Sequence, residues 1–317
     1  MKENKMRDEM KTAFLAALKE EKIPWVCDWT KFMRPQNAVS QRQYRGINSI
    51  WLSYIQMERG YQDSRWCTFK QAQDKGWQIK KGKKGSRVEF WSMYDTKEKK
   101  KLQQAEVNLL RTTLGEDFYD RVKPIASIYV VFNGEQIKGI PDFSYEKHEW
   151  NAAQLLEKRD IIIKNMELSF LESGDKAFYN PDKDQITMPK AEYFKTEYGY
   201  ISTFLHEAGH ATGHISRLNR NIKNPIGTPD YAREELRAEI ASAFTAQELE
   251  IGMADAIQLK NHTAYIQSWI EILEKNPNEL FASIKDAEKI SDYLIEKGEW
   301  KQKTESQTTP NIKHKKR

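Results

Sequence analysis

Residues 206–214 read HEAGHATGH, and this stretch restricts the fold more than any other part of the chain. On a helix His206 and His210, at positions i and i+4, lie one turn apart on one face. From that face both imidazoles can approach a single ion at about 2.0–2.1 Å. Glu207 sits one step round the helix. It flanks the pair without having to ligate, and a carboxylate there can take a proton from a water molecule that the ion acidifies. The expected ion is Zn2+, with another divalent metal such as Mn2+ as the alternative.

A third protein donor has to come from elsewhere. His214 lies eight residues beyond His206, about 12 Å of helical rise, too far to share the ion. It is expected at the cleft or the helix end in a supporting role, with Gly213 ending the helix. The segment YAREELRAEIASAF (231–244) offers Glu234, Glu235 and Glu239 ahead of an apolar face. Glu235 and Glu239 are four apart, so one can bind metal while the other holds a ligand histidine by its second nitrogen. Glu235 is expected as the ligand and Glu239 as the orienting group, with Glu234 as the alternative ligand. Tyr265, in HTAYIQSWI, is a candidate for stabilising an oxyanion. Residues 177–189, AFYNPDKDQITMP, read as a hairpin-like strand pair whose edge can hold an extended peptide.

The charge is divided along the chain. Residues 1–140 hold 27 Lys+Arg against 17 Asp+Glu, residues 141–300 hold 18 against 28, and the last 17 residues hold 6 against 1. A basic first half joined to an acidic second half implies two modules with different partners. The basic character concentrates between Arg65 and Lys101, with twelve Lys+Arg and four Asp+Glu. Trp66, Phe69, Trp77, Phe90, Trp91 and Tyr94 are interleaved there, and Tyr44, Trp51, Tyr54 and Tyr61 come just before. Cations neutralise phosphates and exposed rings stack unpaired bases, a combination suited to single strands. The candidate contacts are Tyr44, Arg45, Asn48, Trp66, Phe69, Lys70, Lys80, Lys81, Lys83 and Lys84. In KKGKKG (80–85) the glycines let backbone approach a phosphate. No helix-turn-helix or zinc finger is evident.

The expected fold class is α+β in two domains. A small basic α+β domain that binds single-stranded DNA occupies 1–140, a linker 141–150, and a domain built around the HExxH helix 151–300, followed by a basic disordered tail at 301–317. A helix is expected at about 3–22, strands at 86–94 and 126–133, and an exposed charged helix near 96–123. Beyond the linker come a helix near 151–158, short strands near 160–188, and helices at about 198–215, 230–250, 255–275 and 278–297. No run of about 18 apolar residues is present, so no membrane span is expected. The N-terminus lacks the apolar core of a signal peptide. With two cysteines, Cys27 and Cys67, and no disulfide framework, a reduced cytoplasmic setting is expected.

The motifs also resemble a known family. YRGIN (44–48), WCTFKQA (66–72), the GWQIKKGKKG segment (76–85) and VFNGEQ (131–136) are similar to the N-terminal domain of ArdC-type antirestriction proteins. FLHEAGHATGHISRLNR (204–220) and YAREELRAE (231–239) resemble their C-terminal zincin-like metallopeptidase domain. The resemblance implies a single-stranded-DNA-binding domain fused to a metallopeptidase-fold domain. Such proteins are carried by plasmids and other mobile elements of bacteria and protect entering DNA from restriction endonucleases. By position it implies His206 and His210 as metal ligands, Glu207 as the catalytic glutamate and Glu235 as the third ligand.

Two functional classes follow. In one, the protein is a metal-dependent hydrolase of a protein target, such as a restriction endonuclease component, brought into place by its DNA-binding half. In the other it is a non-catalytic coat for single-stranded DNA whose metal is structural. Glu207 favours the first, because a structural zinc needs no base and closes with four protein ligands. A replication or primase accessory is disfavoured, since neither a P-loop nor an acidic polymerase cluster stands out.

Overall fold

The computed structural model describes residues 4–25, 33–145, 150–250 and 256–300, with backbone only over 256–264. These residues form two compact units: up to 145 together with 260–285, and 150–250 together with 256–259 and 286–300. The tail expected at 301–317 lies outside the described residues.

In the first unit, α1 (Lys5–Lys19) buries Met6, Met10, Phe14, Ala17 and Leu18, a stripe at helical spacing, and starts at Asn4, whose side chain accepts from the Arg7 N–H. After β1 (Gln36–Asn37), α2 (Gly46–Arg59) stops at Gly60, whose φ of +66° is left-handed and suits glycine. β2 (Arg65–Thr68) leads directly into α3 (Phe69–Asp74), where Thr68 and Gln71 form a capping box. β3 (Gln78–Ile79) is followed by the long β4 (Ser86–Asp95), then β5 (Lys100–Lys101), α4 (Gln104–Leu114), the short α5 (Phe118–Arg121), β6 (Val122–Asn133) and β7 (Ile137–Lys138). The main sheet has the order β1-β2-β6-β4-β5, and β3 pairs with β7. β4 and β6 are antiparallel over ten residue pairs, from Ser86 opposite Val131 to Asp95 opposite Val122.

The expected strands at 86–94 and 126–133 are thus present, and the charged segment between them is a short strand and two helices with a core of their own: Leu102, Val107, Phe118 and Val122. Residues 260–285, expected in the second domain, pack in the first unit. Trp269 lies 5.4 Å from Trp25, which meets Phe14 at 6.3 Å. Lys19 also pairs with Glu274 at 2.7 Å. These buried rings explain why the helix joins this core.

In the second unit, α6 (Ala152–Asn165) runs beyond the expected helix near 151–158, so the strands begin later: β8 (Ser169–Glu172), β9 (Phe178–Asn180) and β10 (Gln185–Met188). The sheet order is β8-β10-β9, with β10 parallel to β8 and antiparallel to β9. The β9–β10 turn closes on Asn180, whose side-chain oxygen accepts from the Asp182 and Lys183 N–H groups at 3.0 and 3.1 Å. α7 (Glu197–Ala211) is capped by Thr196, and α8 (Pro229–Leu249) by Thr228 with proline at its first turn. α9 (Ala256–Lys275) and α10 (Asn278–Lys297) each contribute to both units, residues 260–285 belonging to the first. Among the described residues no helix is long and apolar enough to cross a membrane.

Candidate metal centre

α7 carries the histidine pair, and α8 packs against it with Ala238 beside Gly209, where a Cβ would meet Ala238 at 4.0 Å. The close approach brings the two functional faces together. His206 Nε2 and His210 Nε2 are 3.2 Å apart. Glu235 reaches both, with Oε2 3.6 Å from His206 Nε2 and Oε1 3.5 Å from His210 Nε2. Ligands at about 2.0–2.1 Å from one ion, at tetrahedral angles, stand about 3.3 Å from each other. The three observed separations lie close to that value, so the donor set fits a divalent ion with one coordination position left over. His206, His210 and Glu235 are the group of potential ligands that the described residues bring together, with all three donor atoms within 4.8 Å of one another.

The outer nitrogens of both rings face carboxylates. Glu239 Oε1 lies 3.4 Å from His206 Nδ1, and Glu234 Oε1 lies 3.4 Å from His210 Nδ1. Glu234, Glu235 and Glu239 of α8 are all buried. Glu234, the alternative ligand by sequence, is held by Arg220 at 2.7 Å and therefore turned away from the shared point. Arg220 also donates to the Gly209 carbonyl at 2.9 Å and to Thr212 Oγ1 at 2.6 Å, tying the loop after α7 back to the helix end.

The electrostatics follow from this crowding. Burial works against a charged His206, but Glu239 and Glu235 outweigh it and raise its pKa to about 10. His210 is raised as well, its burial outweighed by Glu235 and Glu234. Burial opposes ionisation of Glu235, yet the two histidines hold it down at about 2. Burial pushes Glu239 up to about 7. More carboxylates than imidazoles converge here, which makes the pocket receptive to cations. Glu207, 8 % exposed, is close enough for its charge to raise both histidines, and among the described residues it makes no hydrogen bond or ion pair.

The other sequence candidates fall elsewhere. α7 ends at Ala211, and the turn carries His214 to Ser216 at 2.8 Å and Asp184 at 3.9 Å instead of to the donors. Tyr265 belongs to the first unit, where it stacks on Trp269 at 6.1 Å. Among the nucleic-acid candidates, Arg45, Phe69, Lys70, Lys80, Lys81, Lys83 and Lys84 are exposed, and Tyr44 is half-buried. Trp66 is fully buried and cannot stack on a base, because the sheet and Tyr61 enclose it. Asn48 exchanges two hydrogen bonds with the Glu89 backbone and so fastens α2 to the edge of β4. Sequence reasoning missed Arg220. The only signal was a basic residue just past the helix, which does not disclose its partner.

The chain is similar to known proteins along most of its length. Residues 4–132 match the family described as the N-terminal domain of anti-restriction factor ArdC, and residues 157–286 match the zincin-like metallopeptidase family. Two Escherichia coli proteins named DNA primase TraC are 39% and 34% identical over 88% and 91% of this chain. The chain spans only 19% and 27% of their lengths. An uncharacterised Sinorhizobium fredii protein, y4eC, is 28% identical over 89% of this chain and 87% of its own length. The metal-free crystal structure of the antirestriction protein ArdC from plasmid R388 superposes with a TM-score of 0.72 at 28% identity, covering 94% of this chain and 99% of that one. The Mn(II)-bound structure of that protein gives 0.71 at 27%, covering 92% and 98%.

Proposed function

This chain has the ArdC fold, an ArdC-type N-terminal domain followed by a zincin-like metallopeptidase domain, and from that premise we propose that it binds single-stranded DNA with the first and hydrolyses a protein target with the second. The observation that carries the hydrolytic reading is Glu207, a buried carboxylate without a hydrogen-bond partner among the described residues, beside a set of three donors rather than four. A structural zinc site closes with four protein ligands and has no use for such a group.

His206, His210 and Glu235 would hold the ion. Two imidazoles and one carboxylate are a catalytic zinc set, so zinc is the proposed ion, with manganese as the alternative. A divalent ion bound there supplies Lewis acidity to a water molecule and to the scissile carbonyl. Glu207 accepts the proton from the attacking water and passes it to the leaving amine. Glu239 and Glu234 fix the rings of His206 and His210 through their outer nitrogens. β9, an edge strand that packs with β10 on α7, offers main-chain groups to an extended peptide. Exposed Arg45, Phe69 and the lysines at 70, 80, 81, 83 and 84 contribute to the DNA surface. The biological role that follows is protection of DNA entering a bacterial cell on a mobile element, in the cytoplasm, with a restriction endonuclease component as the protein target.

Glu207→Gln tests this reading. The variant is expected to retain the metal, measured by elemental analysis, and to lose cleavage of a quenched-fluorescent peptide library by about a hundred-fold or more. Cleavage equal to that of the unaltered protein would remove Glu207 as the base.

A further inference from the structure

Side chains alternate between the two faces of a strand, and residues directly opposite on neighbouring strands share a face. Applied to the β4–β6 register, this separates the long ribbon chemically. One face holds Val88 with Tyr129, Phe90 with Ser127, Ser92 with Ile125, and Tyr94 with Lys123. β5 adds Lys101 opposite Tyr94 on that same face. No carboxylate occurs among these residues. Both acidic residues of β4, Glu89 and Asp95, belong to the other face, where Arg7 and Arg121 pair with them at 2.7 and 2.6 Å. The α4–α5 segment covers the end of that other face, through Met93 and Val122 packed with Leu102, Val107 and Phe118.

The carboxylate-free face is left open towards its outer end. Phe90 is 58% and Tyr129 43% exposed, and the rings meet edge to face with centroids 6.3 Å apart. Lys101 Nζ donates to Ser127 Oγ at 2.8 Å, and Lys123 Nζ donates to the Tyr119 carbonyl. Among the described residues neither lysine is ion-paired, so both charges remain uncompensated.

We infer that this open face of β5, β4 and β6 is the stacking platform for single-stranded nucleic acid, with Phe90 and Tyr129 taking bases and Lys101 and Lys123 taking phosphates. The inference rests on the single-strand reading above and moves its centre away from the buried Trp66. The occupant follows from complementarity. Rings, hydroxyls and unpaired lysines without a carboxylate match a polyanion that carries flat apolar faces, and they lie in a half of the chain with ten more cationic than anionic side chains, 27 Lys+Arg against 17 Asp+Glu. An apolar protein surface would leave the lysines without a partner.

The experiment is an anisotropy titration of the full chain with a fluorescein-labelled oligothymidylate, and with the same strand annealed to its complement. Phe90→Ala and Tyr129→Ala are each expected to weaken single-strand binding about five-fold or more, while Phe90→Tyr retains it. Lys101→Gln with Lys123→Gln is expected to reduce the slope of log affinity against log salt by about 1.4. Melting temperatures should stay close to the unaltered protein, since the rings are exposed. If the unaltered protein binds the strand and the double ring variant binds it equally, the platform is wrong and the single-strand reading survives. If the unaltered protein shows no salt-dependent affinity for the strand, both fall. Equal weakening on the duplex also overturns the platform, because paired bases cannot stack on these rings.

Discussion

Arg220 and the buried Glu234 form an ion pair, Nη2 to Oε1 at 2.7 Å, and the same glutamate oxygen faces His210 Nδ1 at 3.4 Å. Burial opposes the charge on Glu234, but His210 and Arg220 lower its pKa and keep it ionised. A basic side chain beyond the end of α7 therefore aims a carboxylate of α8 at a ring on α7. This decides which of three neighbouring glutamates is left to face the shared point between the histidines.

Glu234→Gln keeps the shape and removes the charge. Groups that hold a ligand histidine by its second nitrogen typically contribute 10–100-fold to metal affinity. Calorimetric titration with Zn2+ or Mn2+ should show a loss of about that size, whereas Glu235→Ala, which removes a donor, should leave no measurable specific binding. Equal losses for both variants would mean that Glu234 also ligates.

Gly213→Ala should loosen the same region. A Cβ there would lie 2.3 Å from Ile222 Cγ2, 3.0 Å from the His210 carbonyl and 3.2 Å from Arg220 Nη2. Overpacking of this kind costs about 1–3 kcal/mol. Thermal denaturation of the metal-free protein should report it as a lower midpoint, and an unchanged midpoint would show that the loop yields freely.

Asp184 accepts from Arg217, which is 4% exposed and also donates to the Met166 and Ala211 carbonyls. Burial would raise the Asp184 pKa, but the Arg217 and Tyr179 hydrogen bonds lower it. Because the folded value lies below the unfolded one, the pair stabilises fully above the unfolded pKa of about 4, and the effect is lost as pH falls through the folded value. Asp184→Asn should cost about 1.5–3 kcal/mol at neutral pH in urea unfolding, with the difference shrinking in acid. A deficit independent of pH would exclude the ion pair as its cause.

Cys67 is buried and free, and burial pushes its thiol up to about 11. Because the thiolate is the reactive form, peptide mapping after iodoacetamide treatment at pH 8 should find Cys67 unmodified in the folded protein and modified after denaturation. Rapid labelling of the folded protein would show that the β2 environment opens.

Much of this protein is written locally. The caps at Thr196 and Thr228, the i,i+4 histidines and the aromatic and β-branched runs of 86–94 and 126–133 each depend on residues within one or two turns. The α7 and α8 helices, the two long strands and the β9–β10 turn were therefore legible from the chain alone. So was the pairing of HExxH with a glutamate of the next helix, because helical period places the donors on definite faces. Tertiary structure decided what lies across from each face. It placed Glu235 between the two histidines and Glu234 against Arg220, enclosed Trp66, engaged Asn48 with the Glu89 backbone, drew residues 260–285 to the core around Trp25, and left Phe90 and Tyr129 open. Periodicity specifies the direction in which a side chain leaves its own element, whereas its surroundings depend on packing between segments far apart in sequence, which no local pattern encodes.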